Sequence, residues 1–126
     1  MKYSITNKPI PMICIDLSKS AKRLLLDCVY KHRVEMAQLG QFIRQMEDVA
    51  LELLLDVSIK NDTKLELSSY DAECLCNAIR RYTWGNLRDN MIYVTCSMVM
   101  DTLTEAIEEA MSRERSYIDY ELGSNI

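Results

Sequence analysis

His32 is the single histidine among 126 residues, the one side chain here whose ordinary titration falls near neutral pH. It falls in the middle of an apolar helical arc. No Ser, Cys or carboxylate stands at a spacing that forces it into a nucleophile–base pair. The pattern therefore reads as a hydrogen-bonded core or interface histidine. Carboxylates are abundant at Glu47, Asp48, Glu52 and Asp56, and again at Glu105, Glu108 and Glu109. Glu52 and Asp56 are one helical turn apart, as are Glu105 and Glu109. None belongs to the Glu-x-x-His pattern of a four-helix di-metal site, and all fall off the apolar stripes, which reads as a solvated acidic face. The five cysteines include Cys74 and Cys76, which on a helix point about 200° apart and cannot clamp one ion. No Cys/His pair stands at zinc spacing, and Cys28, Cys76 and Cys96 read as small buried hydrophobes. No glycine-rich phosphate loop is present. The expectation is a protein with no catalytic residue, metal or cofactor, and hence not an enzyme.

The cluster with the most to offer a partner is Arg80-Arg81-Tyr82-Thr83-Trp84, with Asn77 before it and Arg88 after. At 100° per residue, Asn77, Arg80, Arg81 and Trp84 lie on the side of their helix away from Ala72, Leu75 and Ile79. Arg and Trp together suit a protein hot spot or a contact to a base or phosphate. The competing reading folds Trp84 over the turn at 85–90 as a plug for the bundle end.

The elements that carry these residues are mostly helices. Three glycines and two prolines are too few for a turn-rich β fold. Met12 to Ile15 and Lys64 to Leu67 read as short strands able to pair as a ribbon. Ser18 caps a first helix to about Leu39, whose stripe is Ala21, Leu25, Cys28, Val29, His32, Met36 and Leu39, with Lys22 and Arg33 away from it. After Gly40 a second helix runs to Val57, with Phe42, Met46, Val49, Ala50, Leu53 and Val57 as its inner face and Leu51 and Leu55 on the other side. Ser68 or Ser69 caps a third helix that stops near Gly85, and a fourth runs from Met91 to about Met111 with Ile92, Cys96, Val99, Leu103, Ile107 and Ala110 inward. Apolar 3-4 spacing continues through Gly40, so one long kinked helix is the alternative to a hairpin there. The fold expected is mainly α, a four-helix bundle-like arrangement with a small β ribbon. One domain covers 1–111, with a pseudo-repeat of 16–57 and 66–107, and 112–126 form a loosely held tail.

Residues 1–44 carry eight Lys/Arg against three Asp/Glu, whereas residues 45–79 carry two against eight. This alternation, within a net charge of −4, suits helices facing one another with opposite charge rather than a dominant basic face for nucleic acid. No apolar run approaches the ~18 residues of a membrane span, and the first residues lack a signal core, so the expected location is cytoplasmic. Second apolar stripes at Leu26 and Val34, Leu51 and Leu55, and Val94 and Met98 suggest a homodimer. No motif matches a nameable family; the strand, Leu-Ser cap and helix pair are similar to those of many small accessory proteins of phages and mobile elements. The expected function is a non-enzymatic adaptor or inhibitor that binds another protein, through Asn77, Arg80, Arg81, Trp84 and Arg88 or through acidic faces that mimic nucleic acid. The alternative is a nucleotide or nucleic-acid binder using that arginine and tryptophan patch.

Overall fold

Two strand–helix–helix units follow one another along the chain, preceded by one extra strand. The computed structural model describes residues 2–85 and 90–123, without the side chains of Trp84, Asn90, Tyr117 and 119–123. The order is β1 (Lys2–Ile5), β2 (Ile13–Asp16), α1 (Lys19–Gln38), α2 (Phe42–Asn61), β3 (Leu65–Leu67), α3 (Ser69–Gly85) and α4 (Asn90–Gly123). The ribbon expected from Met12–Ile15 and Lys64–Leu67 is present as β2 and β3, antiparallel with Ile13 opposite Leu67 and Ile15 opposite Leu65. β1 adds a third strand on the other edge of β2, with Tyr3 opposite Ile15 and Ile5 opposite Ile13. Strand alternation puts Ile13, Ile15, Leu65 and Leu67 in the core, while Glu66 on the opposite face is exposed.

Capping chemistry sets where the helices begin and end. Ser18 Oγ accepts from the Ala21 amide at 3.2 Å, and Ser68 Oγ accepts from the Asp71 amide at 3.0 Å, each satisfying an orphan donor of a first turn. Gly40 breaks the chain into a hairpin. Its φ is +69°, its amide donates to Ala37 O at 3.1 Å, and the next amide, Gln41, reaches back to Met36 O at 2.8 Å. These two bonds close α1 in a left-handed glycine cap, which rules out the single long helix. At the end of α2 the same left-handed conformation falls on Asp62, at φ 52°.

Core packing joins α1 to α2 and α3 to α4, with α1 against α3 between them. Leu25, Cys28 and Val29 of α1, Leu75, Ala78 and Ile79 of α3, and Cys96, Val99 and Leu103 of α4 are fully buried together. α4 does not stop near Met111. The polar stretch after it stays helical to Gly123, and Arg113 ties it to the first hairpin by donating to Ile5 O at 3.2 Å. Tyr3 ties β1 to the same helix, its hydroxyl donating to Glu109 at 2.8 Å. That bond and its acidic surroundings push the Tyr3 hydroxyl up to about 12, so the contact persists through neutral pH and is lost as pH rises past the ordinary tyrosine range.

The second helix departs most from the sequence reading. Leu51 and Leu55, assigned above to a dimer interface, are 1% exposed inside the chain's own core, and Asp48 and Ser58 are buried beside them. The face assigned inward is outside, with Phe42 70% and Leu53 62% exposed. Lys22, placed off the core stripe of α1, is buried, its Nζ donating to Thr63 O at 2.6 Å and to Ser58 O at 3.4 Å. This ammonium satisfies carbonyls at the C-terminus of α2, where the helix dipole favours positive charge. The left-handed residue after α2 gives a direct check. Asp62→Gly removes the Cβ penalty of that conformation and is expected to raise unfolding stability by about 1 kcal/mol, measured by chemical denaturation.

Candidate functional site

The inner face of α2 is a row of polar contacts to α1. Asp48 Oδ2 lies 2.6 Å from His32 Nδ1, with side-chain exposures of 2% and 10%. A carboxylate accepts, so Nδ1–H donates, which fixes the ring's orientation. One turn further, Arg33 clasps Glu52 with Nε at 2.6 Å and a second nitrogen at 3.4 Å, and its guanidinium lies 5.1 Å from the Tyr30 ring centre. Glu47 turns the other way, toward α3, accepting from the Tyr70 hydroxyl and from Cys74 Sγ at 3.2 Å. Glu47, Asp48 and Glu52 are thus engaged within the fold, and of the solvated acidic face expected on α2 only Asp56, paired with Lys60 at 2.9 Å, stays well exposed.

With those positions turned inward, the outer face of α2 carries Phe42, Ile43, Met46, Val49, Ala50, Leu53, Leu54 and Val57, all exposed. On a 100° wheel they fill an arc of about 140° with no charged residue inside it between 42 and 57. Seven large side chains at 36–73% exposure present roughly 600 Å2 of apolar surface, at the upper end of what a monomer ordinarily shows. Met91, Val94 and Met98 form a smaller exposed stripe on α4, and Val34 lies exposed on α1. Leu26, by contrast, is partly buried and packs on the core.

Where α1 turns into α2, a cleft of about 470 Å3 opens. α3 lines it with Asn77, Arg80 and Arg81, α1 and its cap with His32, Met36 and Leu39, and the start of α2 with Gln41 and Arg44. The structure therefore gathers three of the five patch residues expected from sequence. The Trp84 side chain and Arg88 lie outside the described residues. Arg81 donates to Glu35 at 2.6 Å, which holds the Glu35 carboxyl below its usual range, and Arg80 donates to the Asn77 side-chain carbonyl at 3.1 Å. Sequence reasoning missed His32, Gln41 and Arg44 as neighbours of this patch. Their meeting depends on the hairpin at Gly40.

A thiol beside His32 could complete a nucleophile–base pair, and Cys28 stands one turn before it. Cys28 is fully buried, and its hydrogen bond to Cys96, together with burial, pushes its thiol up. Burial and the bond to Glu47 push Cys74 up to about 12, and burial takes Cys76 to about 11. Because the thiolate is the reactive form, these cysteines behave as packing residues. Among the described residues no three His, Cys, Asp or Glu side chains come together as metal ligands, and no helix is long and apolar enough to cross a membrane. No protein-family model, curated protein or solved structure matches the chain.

The His32–Asp48 pair is open to test. His32→Leu leaves a buried carboxylate without its donor and is expected to cost about 3–5 kcal/mol of stability. The double variant His32→Leu/Asp48→Leu is expected to recover part of that loss, because no charge is left stranded. Denaturation of both single variants and the double gives the coupling energy, and additive losses would mean the pair contributes nothing of its own.

Proposed function

We propose that this chain is a non-enzymatic interaction protein, an adaptor or inhibitor that docks another protein on the outer face of α2. The observation behind the reading is the eight-residue apolar face left in water while Asp48 and Ser58 are buried. About 600 Å2 at ~25 cal/mol per Å2 represents a gross gain of ~15 kcal/mol on burial, against association costs of ~4–15 kcal/mol. The patch also approaches the ~800 Å2 per partner of a standard interface. Phe42 and Met46 are of the aromatic and methionine types enriched at interface centres. The arginine and Asn77 side chains of the neighbouring cleft would stand at the rim of such a contact.

This face replaces Leu51 and Leu55 as the place where two copies would pair, since those leucines already fill the core. Burial of the Cys28, Cys74 and Cys76 thiols, which pushes each of them up, favours a binding role over thiol catalysis.

Met46→Lys/Val57→Lys places two charges on the exposed face. The variant is expected to keep the wild-type melting temperature within ~3 °C, as surface substitutions do. It should lose self-association, measured by sedimentation, or lose the partner captured by immobilised wild-type protein. A wild-type chain that is monomeric at high micromolar concentration, and captures nothing the variant does not also capture, would contradict the proposal.

A further inference from the structure

The cleft at the α1–α2 turn has a charge character unlike the rest of the molecule. The chain is acidic overall, at −4, yet this cleft is lined by Arg44, Arg80 and Arg81 with no carboxylate in its wall. The acids nearest the arginines engage them only in part. Glu35 takes one nitrogen of Arg81 at 2.6 Å. Glu47 lies 3.8 Å from one nitrogen of Arg44, beyond hydrogen-bond length, while bonded to Tyr70 and Cys74. Arg80 meets no carboxylate among the described residues, only the Asn77 amide oxygen. Guanidinium donors therefore remain available on three side chains that converge from two helices.

We propose that this cleft binds a phosphate monoester of about mononucleotide size. Guanidinium forks match phosphate oxygens two at a time, which a lone ammonium cannot do. A volume of about 470 Å3 falls within the usual range for small-molecule sites. Met36 and Leu39 supply an apolar wall for the organic part, and the Gln41 and Asn77 amides supply donors and acceptors that orient it. His32, held by Asp48, gives the cleft a rigid ring edge where α1 enters it. A nucleic-acid strand fits less well. Residues 45–79, which continue α2 past Arg44, carry two Lys/Arg against eight Asp/Glu, an unfavourable neighbour for a polyanion. The site is distinct from the outer face of α2 and stands whether or not that face docks a protein.

Calorimetric titration at constant ionic strength tests it, using inorganic phosphate, pyrophosphate and adenosine 5′-monophosphate, with adenosine as the uncharged control. The monophosphate is expected to bind, adenosine not to bind measurably, and Arg44→Gln and Arg80→Gln each to weaken binding by ~10-fold or more. Both arginines are exposed, so both variants are expected to melt with the wild type, and Lys60→Gln on the far end of α2 is expected to change nothing. Three outcomes overturn the proposal. The first is no heat from any phosphate probe at about 10 mM. The second is binding that survives the Arg44→Gln/Arg80→Gln double variant. The third is binding only to a single-stranded oligonucleotide with a steep salt dependence, which assigns the arginines to nucleic acid instead.

Discussion

The hydrogen bond between His32 and Asp48 settles which way α2 faces, and most of the molecule's surface chemistry follows from that. Viewed alone, α2 would gain from rolling half a turn, burying Phe42, Met46, Leu53 and Val57 and returning Asp48 to water. α1 prevents it. Lys22, His32 and Arg33 all engage α2 or the residues that close it, at Ser58 and Thr63, Asp48, and Glu52. Rolled, α2 would set an apolar face against an ammonium and an imidazole that are already out of water, and polar groups buried without partners cost several kcal/mol. Leu51 and Leu55 would leave the core in the same step. The polar match across the hairpin therefore outweighs the wider apolar arc, and the arc is left exposed.

The same rotation builds the cleft. The cap at Gly40 reverses the chain within a few residues, so Gln41 and Arg44 open α2 beside the end of α1. Because Asp48 faces His32, the preceding turn of α2 brings Arg44 round toward Arg80 and Arg81 of α3. Glu47, between them, turns to Tyr70 and Cys74, which keeps its carboxylate out of the cleft wall. An exposed apolar face and an arginine-lined cleft on adjoining parts of one hairpin are thus two consequences of one packing choice.

Local chemistry was legible in the sequence wherever it is local in the fold. Ser18 and Ser68 announce their helices because capping needs only the next three residues, and Gly40 announces a turn because left-handed backbone favours glycine. β2 is visible as a short apolar run, and β3 by the alternation of Lys64–Leu67. β1 alternates in the same way over Lys2–Ile5, but its Tyr3 and Ile5 are only partly buried and no helix cap follows to mark it as a strand. The end of α4 is misread because its last turns carry no apolar stripe. The facing of α2 is the instructive failure. A wheel places the wider apolar arc inward, and that rule holds only when the neighbouring helix is apolar where it meets the arc. The sign that it was not apolar lay in α1, where His32 occupies the middle of the stripe and demands a polar answer from across the interface. Asp48 gives that answer, sixteen residues away, a separation that periodicity within one helix cannot register. Arg44 joined the arginine patch for the same reason, by tertiary placement and not by spacing.

The facing of α2 is tested most directly by comparing two leucines on its opposite sides. Leu53→Glu and Leu55→Glu make the same chemical change two residues apart. With Leu53 at 62% exposure and Leu55 at 1%, Leu53→Glu is expected to melt close to the wild type. Leu55→Glu, which buries a charge and opens a cavity, is expected to lose several kcal/mol or fail to fold. If Leu53→Glu unfolds the protein while Leu55→Glu is tolerated, α2 faces the other way, and the exposed apolar face and the cleft lose their common basis.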